Sequence, residues 1–81
     1  MNHWRAVTPE EFGAAVRRAR KGKGWQQSDL ADLLGVTRMT ISRLERGGPV
    51  NIETAMRALS ECGYGLVIVP KFARVEVSDG G

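Results

Sequence analysis

The chain has 81 residues and a net charge of +3 at neutral pH, with one cysteine, Cys62, and one histidine, His3. That length allows one small domain, the lone cysteine excludes an internal disulfide, and no His/Cys cluster suggests zinc or any other metal. The charge is uneven: residues 1–47 hold nine Lys/Arg against five Asp/Glu and residues 48–81 hold three against four, so a polyanionic partner is expected for the first half.

Residues 1–7 read as an N-terminal arm carrying Trp4 and Val7. "TPEE" then starts a helix, with Thr8 as N-cap, Pro9 at the first helical position and Glu11 three residues after the cap. Phe12, Ala15, Val16 and Ala19 follow at helical spacing, the last turn is rich in cations, and Gly22 and Gly24 end the element. A second short helix is expected over residues 26–34, with Leu30, Ala31, Leu33 and Leu34 on or near its buried side and Gly35 as its breaker. The third is capped by Thr37, turns Ile41 and Leu44 inward, and stops at Gly47–Gly48–Pro49. The fourth starts from Asn51; Ile52, Ala55, Met56, Leu59 and Cys62 recur at helical spacing, and Gly63 ends it. "GLVIVP" is a β-branched run bounded by Gly65 and Pro70 and predicts a strand at Leu66–Val69. "FARVEV" alternates and is a weaker strand candidate over 73–77, and "SDGG" is a frayed end.

No apolar run approaches the ~20 residues of a membrane span, and "MNHWRAVTPEEF" lacks an apolar core of signal-peptide length. A cytoplasmic, nucleoid-associated protein with no membrane partner is the expectation. A domain of this size is marginal alone, so a partner chain is the expected support.

The second and third helices carry the most information. Leu30, Ala31, Leu34, Gly35, Val36, Ile41 and Leu44 fall in one register. Ala31 is small enough for a close helix crossing, Gly35 can take the positive φ of a tight turn, and Val36 points inward from that turn. This is the helix-turn-helix pattern, two helices crossing steeply over a short connection.

"GKGWQQSDLADLLGVTRMTISRLERG" resembles the XRE/Cro (phage-repressor-like) helix-turn-helix family. The flanks "VTPEEFGAAVRRARKGKGW" and "NIETAMRALSECGYGLVIVP" look like the HipB-type antitoxins, small repressors that end in a strand paired across a dimer. The resemblance covers roughly residues 8–70. The expected fold is mainly α: a four- to five-helix, lambda-repressor-like domain over 8–63, a C-terminal strand region for dimerisation over 64–78, and a disordered tail at 79–81.

In such a domain the third helix fits the major groove. Thr37, Arg38, Met39, Ser42 and Arg43 hold its outward positions and are the candidates for base readout. Arg38 suits guanine, whose O6 and N7 accept two hydrogen bonds from a guanidinium, with a phosphate contact or a solvated charge as alternatives. Met39 suits a thymine methyl. Gln27 and Ser28, in the first turn of the second helix, together with Thr40 and Arg46, are the phosphate candidates; the family resemblance implies the same role for Gln27. Gln26 stands where the family usually has a threonine cap. The resemblance also implies that Arg20 pairs with Glu45, tying the first helix to the third.

One module is too small for tight, specific binding, and a two-fold dimer on palindromic double-stranded DNA solves this. A lone strand at Leu66, Val67, Ile68 and Val69 could pair with its symmetry mate and bury its aliphatics against Leu59 and Cys62 of both chains. A hairpin with residues 73–77 inside one chain is the alternative, and both could coexist. The resemblance implies a further partner, a HipA-type Ser/Thr kinase toxin, and autorepression of the shared operon. The alternatives are a protein-interaction module that kept the fold without DNA binding and a stand-alone phage-type regulator without a toxin. No nucleophile, base and orienter can be assembled, so neither an enzyme nor a cofactor is expected.

Overall fold

A computed structural model describes residues 4–71 of the chain. Its helices are α1 (Pro9–Gly22), α2 (Gln27–Leu34), α3 (Arg38–Glu45) and α4 (Ile52–Glu61). Each begins where the sequence offers a cap. The Thr8 hydroxyl accepts from the Glu11 N–H at 3.1 Å, and the Glu11 carboxylate accepts from the Thr8 N–H at 3.1 Å, closing a capping box. The Thr37 hydroxyl accepts from the Thr40 N–H, and the Asn51 side chain accepts from the Thr54 N–H. At α2 a carboxylate three residues into the helix makes the cap: Asp29 accepts from the Gln26 N–H at 2.7 Å. The departure from threonine at Gln26 therefore leaves this end of α2 with a polar partner.

Inside, Val16 and Ala19 of α1, Leu30, Ala31 and Leu34 of α2, Ile41 and Leu44 of α3, and Ala58, Leu59 and Cys62 of the α4 end form one cluster. Val36 packs against it from the turn. Gly35 makes that turn possible: its φ of +69° lies in the left-handed region, and its N–H and that of Val36 bond back to the last turn of α2. The small residues set the helix spacing. Ala31 lets α2 and α3 approach, and Gly13 brings α1 against the α3 backbone so closely that an added Cβ would overlap the Leu44 carbonyl oxygen.

The arm is anchored at Trp4. Trp4 stacks on Tyr64 with ring centroids 4.7 Å apart, and the Arg18 guanidinium lies 5.2 Å from the Trp4 ring centroid. The arm, α1 and the segment leaving α4 thus meet at one aromatic contact.

No strand is present among the described residues: Leu66–Val69 is irregular in the single chain, and the expected pairing across a dimer needs a second copy. The other strand candidate, 73–77, and the tail at 79–81 lie outside the described residues. Ile52 shares the apolar register of α4, two turns before Leu59, yet is 79% exposed, while Ala55 of the same turn packs against the core. No helix among the described residues is long and apolar enough to cross a membrane.

Candidate nucleic-acid interface

The first turn and a half of α3 presents a short, uninterrupted outer face. Ile41 is fully buried and Leu44 is 3% exposed, which fixes the rotation of the helix. Arg38, Met39 and Arg43 are exposed and Ser42 is half-buried. Arg38 and Ser42 are one turn apart, as are Met39 and Arg43, so the four side chains form two adjacent ridges. Met39 is 65% exposed, an apolar side chain with no cover, set between cations. Thr37 precedes this face, and its hydroxyl lies 3.0 Å from that of half-buried Thr40. Together these residues offer guanidinium forks, hydroxyls and a thioether over a single turn and a half.

Arg46 is exposed at the C-cap of α3. At the other edge, Ser28 is exposed and Gln27 half-buried in the first turn of α2, where backbone N–H groups lack helical acceptors. Gln27 is engaged within the chain: its Nε2 donates to Glu45 Oε1 at 3.0 Å.

Behind this edge lies a buried polar network. Arg20 Nε donates to Glu45 Oε2 at 2.7 Å and Arg20 Nη2 to Glu45 Oε1 at 2.9 Å, a bidentate pair. A third donor, Arg20 Nη1, reaches the Trp25 carbonyl at 2.8 Å. The hydrogen bond to Glu45 raises the Arg20 pKa, burial opposes it, and the guanidinium stays charged. One ion pair thereby joins the end of α1, the α1–α2 connection and the end of α3, and through Gln27 it reaches the start of α2.

The apolar residues near the C-terminal end divide into two sets. Leu59 and Cys62 are 7% and 2% exposed and belong to the core of their own chain. Burial pushes the Cys62 thiol pKa upward against the pull of Lys23 and Arg20. Leu66, Val67, Ile68 and Val69 are exposed, Ile68 at 91%. Met56 and Ile52, one turn apart on α4, add to the uncovered apolar surface. Both recur at helical spacing with Leu59 and Cys62, and no local signal separates the members of such a register that are covered from those that are not. Sequence reading also passed over Arg57, whose Nη1 donates to the Leu34 carbonyl at 3.3 Å and closes the end of α2.

A helix-turn-helix family model matches residues 16–69. No curated protein sequence matches the chain significantly. Among solved structures, the chain is similar to one of a HipA–HipB–O2–O3 complex at 23% identity, with a TM-score of 0.75, covering 85% of this chain and 99% of that one. It is similar to a HipB variant–O2 20mer complex at 21% identity and a TM-score of 0.77, covering 86% and 99% of the two chains. A HipB–O4 20mer complex matches at 23% identity and a TM-score of 0.76, covering 85% and 99%.

Proposed function

The chain belongs to the helix-turn-helix family, and from that premise we propose that it is a sequence-specific DNA-binding transcriptional repressor acting as a homodimer on palindromic operator DNA. The observation that carries this reading is the outer face of α3. Arg38, Met39 and Arg43 are exposed and Ser42 half-buried beside a core that Ile41 and Leu44 complete, so this helix closes the domain without using the residues that can read bases. Thr37 stands at the leading end of that face. Gln27, Ser28, Thr40 and Arg46 flank it and supply phosphate contacts that fix the register.

The dimer is proposed from the apolar surface left over. Leu66–Val69 supplies an exposed apolar run, and its pairing with a second copy forms the strand that is absent among the described residues of one chain. Ile52 and Met56 extend the apolar area from α4, with Leu59 and Cys62 beneath it as core. Ile68→Asp places a charge at the centre of this contact. The variant sediments as a monomer and loses operator affinity with α3 intact; a variant that stays dimeric refutes this interface.

We further infer an antitoxin role, in which the protein binds a HipA-type Ser/Thr kinase toxin and represses their shared operon. Similarity to HipB along nearly the whole of the HipB chains supports this reading. Footprinting on DNA upstream of its own gene tests the repressor function, with a symmetric protected site as the expected result and no protection as the refuting one. Co-purification with a kinase encoded beside it tests the antitoxin role, and failure to form a complex at micromolar protein refutes it.

A further inference from the structure

The buried pair of Arg20 and Glu45 does more than join two helices. Glu45 Oε1 accepts two hydrogen bonds, from Arg20 Nη2 at 2.9 Å and from Gln27 Nε2 at 3.0 Å. The first belongs to the ion pair. The second holds a half-buried side chain at the start of α2, on the edge assigned above to phosphate. We propose that Glu45 is a positioning residue for DNA binding, which orients the Gln27 amide toward the phosphate backbone before DNA arrives. This inference rests on the DNA-binding reading and deepens it.

The chemistry of the three groups supports the assignment. A glutamine amide nitrogen carries two hydrogens. One is used on Glu45, and the second is left to donate to a phosphate oxygen beside the free N–H groups of the α2 first turn. A lone carboxylate so near the backbone of DNA would repel it. Here Arg20 pairs with the carboxylate through two hydrogen bonds, so Glu45 offers an acceptor within a pair that has no net charge. Asp29, the other acid of this turn, is engaged on the Gln26 N–H. Arg20 in turn is held by the Trp25 carbonyl at 2.8 Å, so the anchor itself does not move with Gln27. Ordering a free glutamine on binding weakens association, and holding it beforehand recovers a few-fold to about tenfold in affinity.

The test is a cycle of variants on a 20-base-pair duplex from the footprinted region, prepared with and without a neutral methylphosphonate at each phosphate near α2. Arg20→Met with Glu45→Leu replaces the pair by apolar groups of similar size, an exchange that leaves many proteins folded. We expect wild type to lose affinity at one modified phosphate and Gln27→Ala to lose that sensitivity. The Met/Leu variant binds a few-fold to about tenfold more weakly than wild type with reduced sensitivity at that phosphate, and adding Gln27→Ala to it costs less than the same change costs in wild type. A folded Met/Leu variant that keeps full sensitivity at that phosphate, or additive losses in the triple variant, overturns the proposal. A second measurement needs no variant: the side-chain amide of Gln27 in the free wild-type protein has an NMR order parameter near that of the rigid backbone. A value below about 0.6 marks a flexible group and overturns it. Failure of the wild type to bind any duplex refutes the DNA-binding reading itself, a result distinct from binding with an unheld Gln27.

Discussion

Replacing Gly13 by alanine tests the packing that sets the recognition helix. An added Cβ would lie 2.7 Å from the Glu45 carbonyl oxygen and 2.8 Å from its carbon, and closer still to the Leu44 carbonyl oxygen, where ordinary contact begins at 3.4 Å. All three are backbone atoms, so no side chain can swing aside. The axes of α1 and α3 must part by more than about 0.7 Å to restore ordinary contact, enough to forfeit a quarter or more of the dispersion between the faces they share. Overpacking of this kind costs about 1–3 kcal/mol, while alanine returns about 0.5–1 kcal/mol of helix preference. The net loss is about 1–2 kcal/mol, which lowers Tm by roughly 5–15 °C in a chain of this size. Gly22→Ala is the control, because nothing lies within 4 Å of its added Cβ, and it holds or raises Tm. Differential scanning calorimetry at fixed protein concentration reads both. A Gly13→Ala protein as stable as wild type, with the Gly22→Ala control behaving as stated, refutes the close crossing.

Removing Glu45 alone, as Glu45→Ala, leaves the Arg20 guanidinium buried without its partner, and denaturant unfolding shows a loss of about 3–5 kcal/mol; a loss under 1 kcal/mol contradicts the buried pair. Cys62 is 2% exposed with its thiol pKa raised by burial. Its alkylation at pH 8 is therefore much slower in the folded protein than in denaturant, and equal rates contradict its place in the core. The same shift predicts a pH dependence. The unfolded thiol ionises near its ordinary value of 9.0 and the folded one only at higher pH, so the folded state binds more protons and stability falls as pH rises above about 9. Replacing Cys62 by alanine flattens that alkaline slope, and an unchanged slope counts against the assignment.

Much of the helical frame was legible because its signals are local. Thr8, Thr37 and Asn51 cap helices by bonds to residues three positions away, and Gly35 announces a left-handed turn by being the residue that tolerates one. The inner residues of the helix-turn-helix follow from the same 3.6-residue period. Gly13 was the exception with a readable trace: a glycine inside a helix weakens it, which signals a close approach to something else. The rest depends on contacts distant in sequence. The Trp4–Tyr64 stack joins residues at opposite ends of the domain, and Gln27 meets Glu45 across the helix pair. Neither has a spacing that a periodic pattern could reveal. The exposure of Ile52 depends on which neighbouring helices reach its side of α4, again outside the reach of its own sequence. The irregular Leu66–Val69 segment shows the limit from the other side, since β-propensity marks a strand but only a partner supplies its hydrogen bonds.

The central claim is that the outer face of α3 reads DNA. Fluorescence anisotropy measures it most directly, with a labelled duplex from the footprinted region, a scrambled duplex of equal length, and salt varied from 50 to 200 mM as in ordinary protein–DNA titrations. The account predicts preference for the footprinted duplex and an affinity that falls steeply with salt. In Arg38→Ala it predicts a loss of about 1–3 kcal/mol on that duplex with relaxed discrimination. A folded dimer that shows no salt-sensitive binding, or an Arg38→Ala variant with unchanged affinity and discrimination, contradicts it.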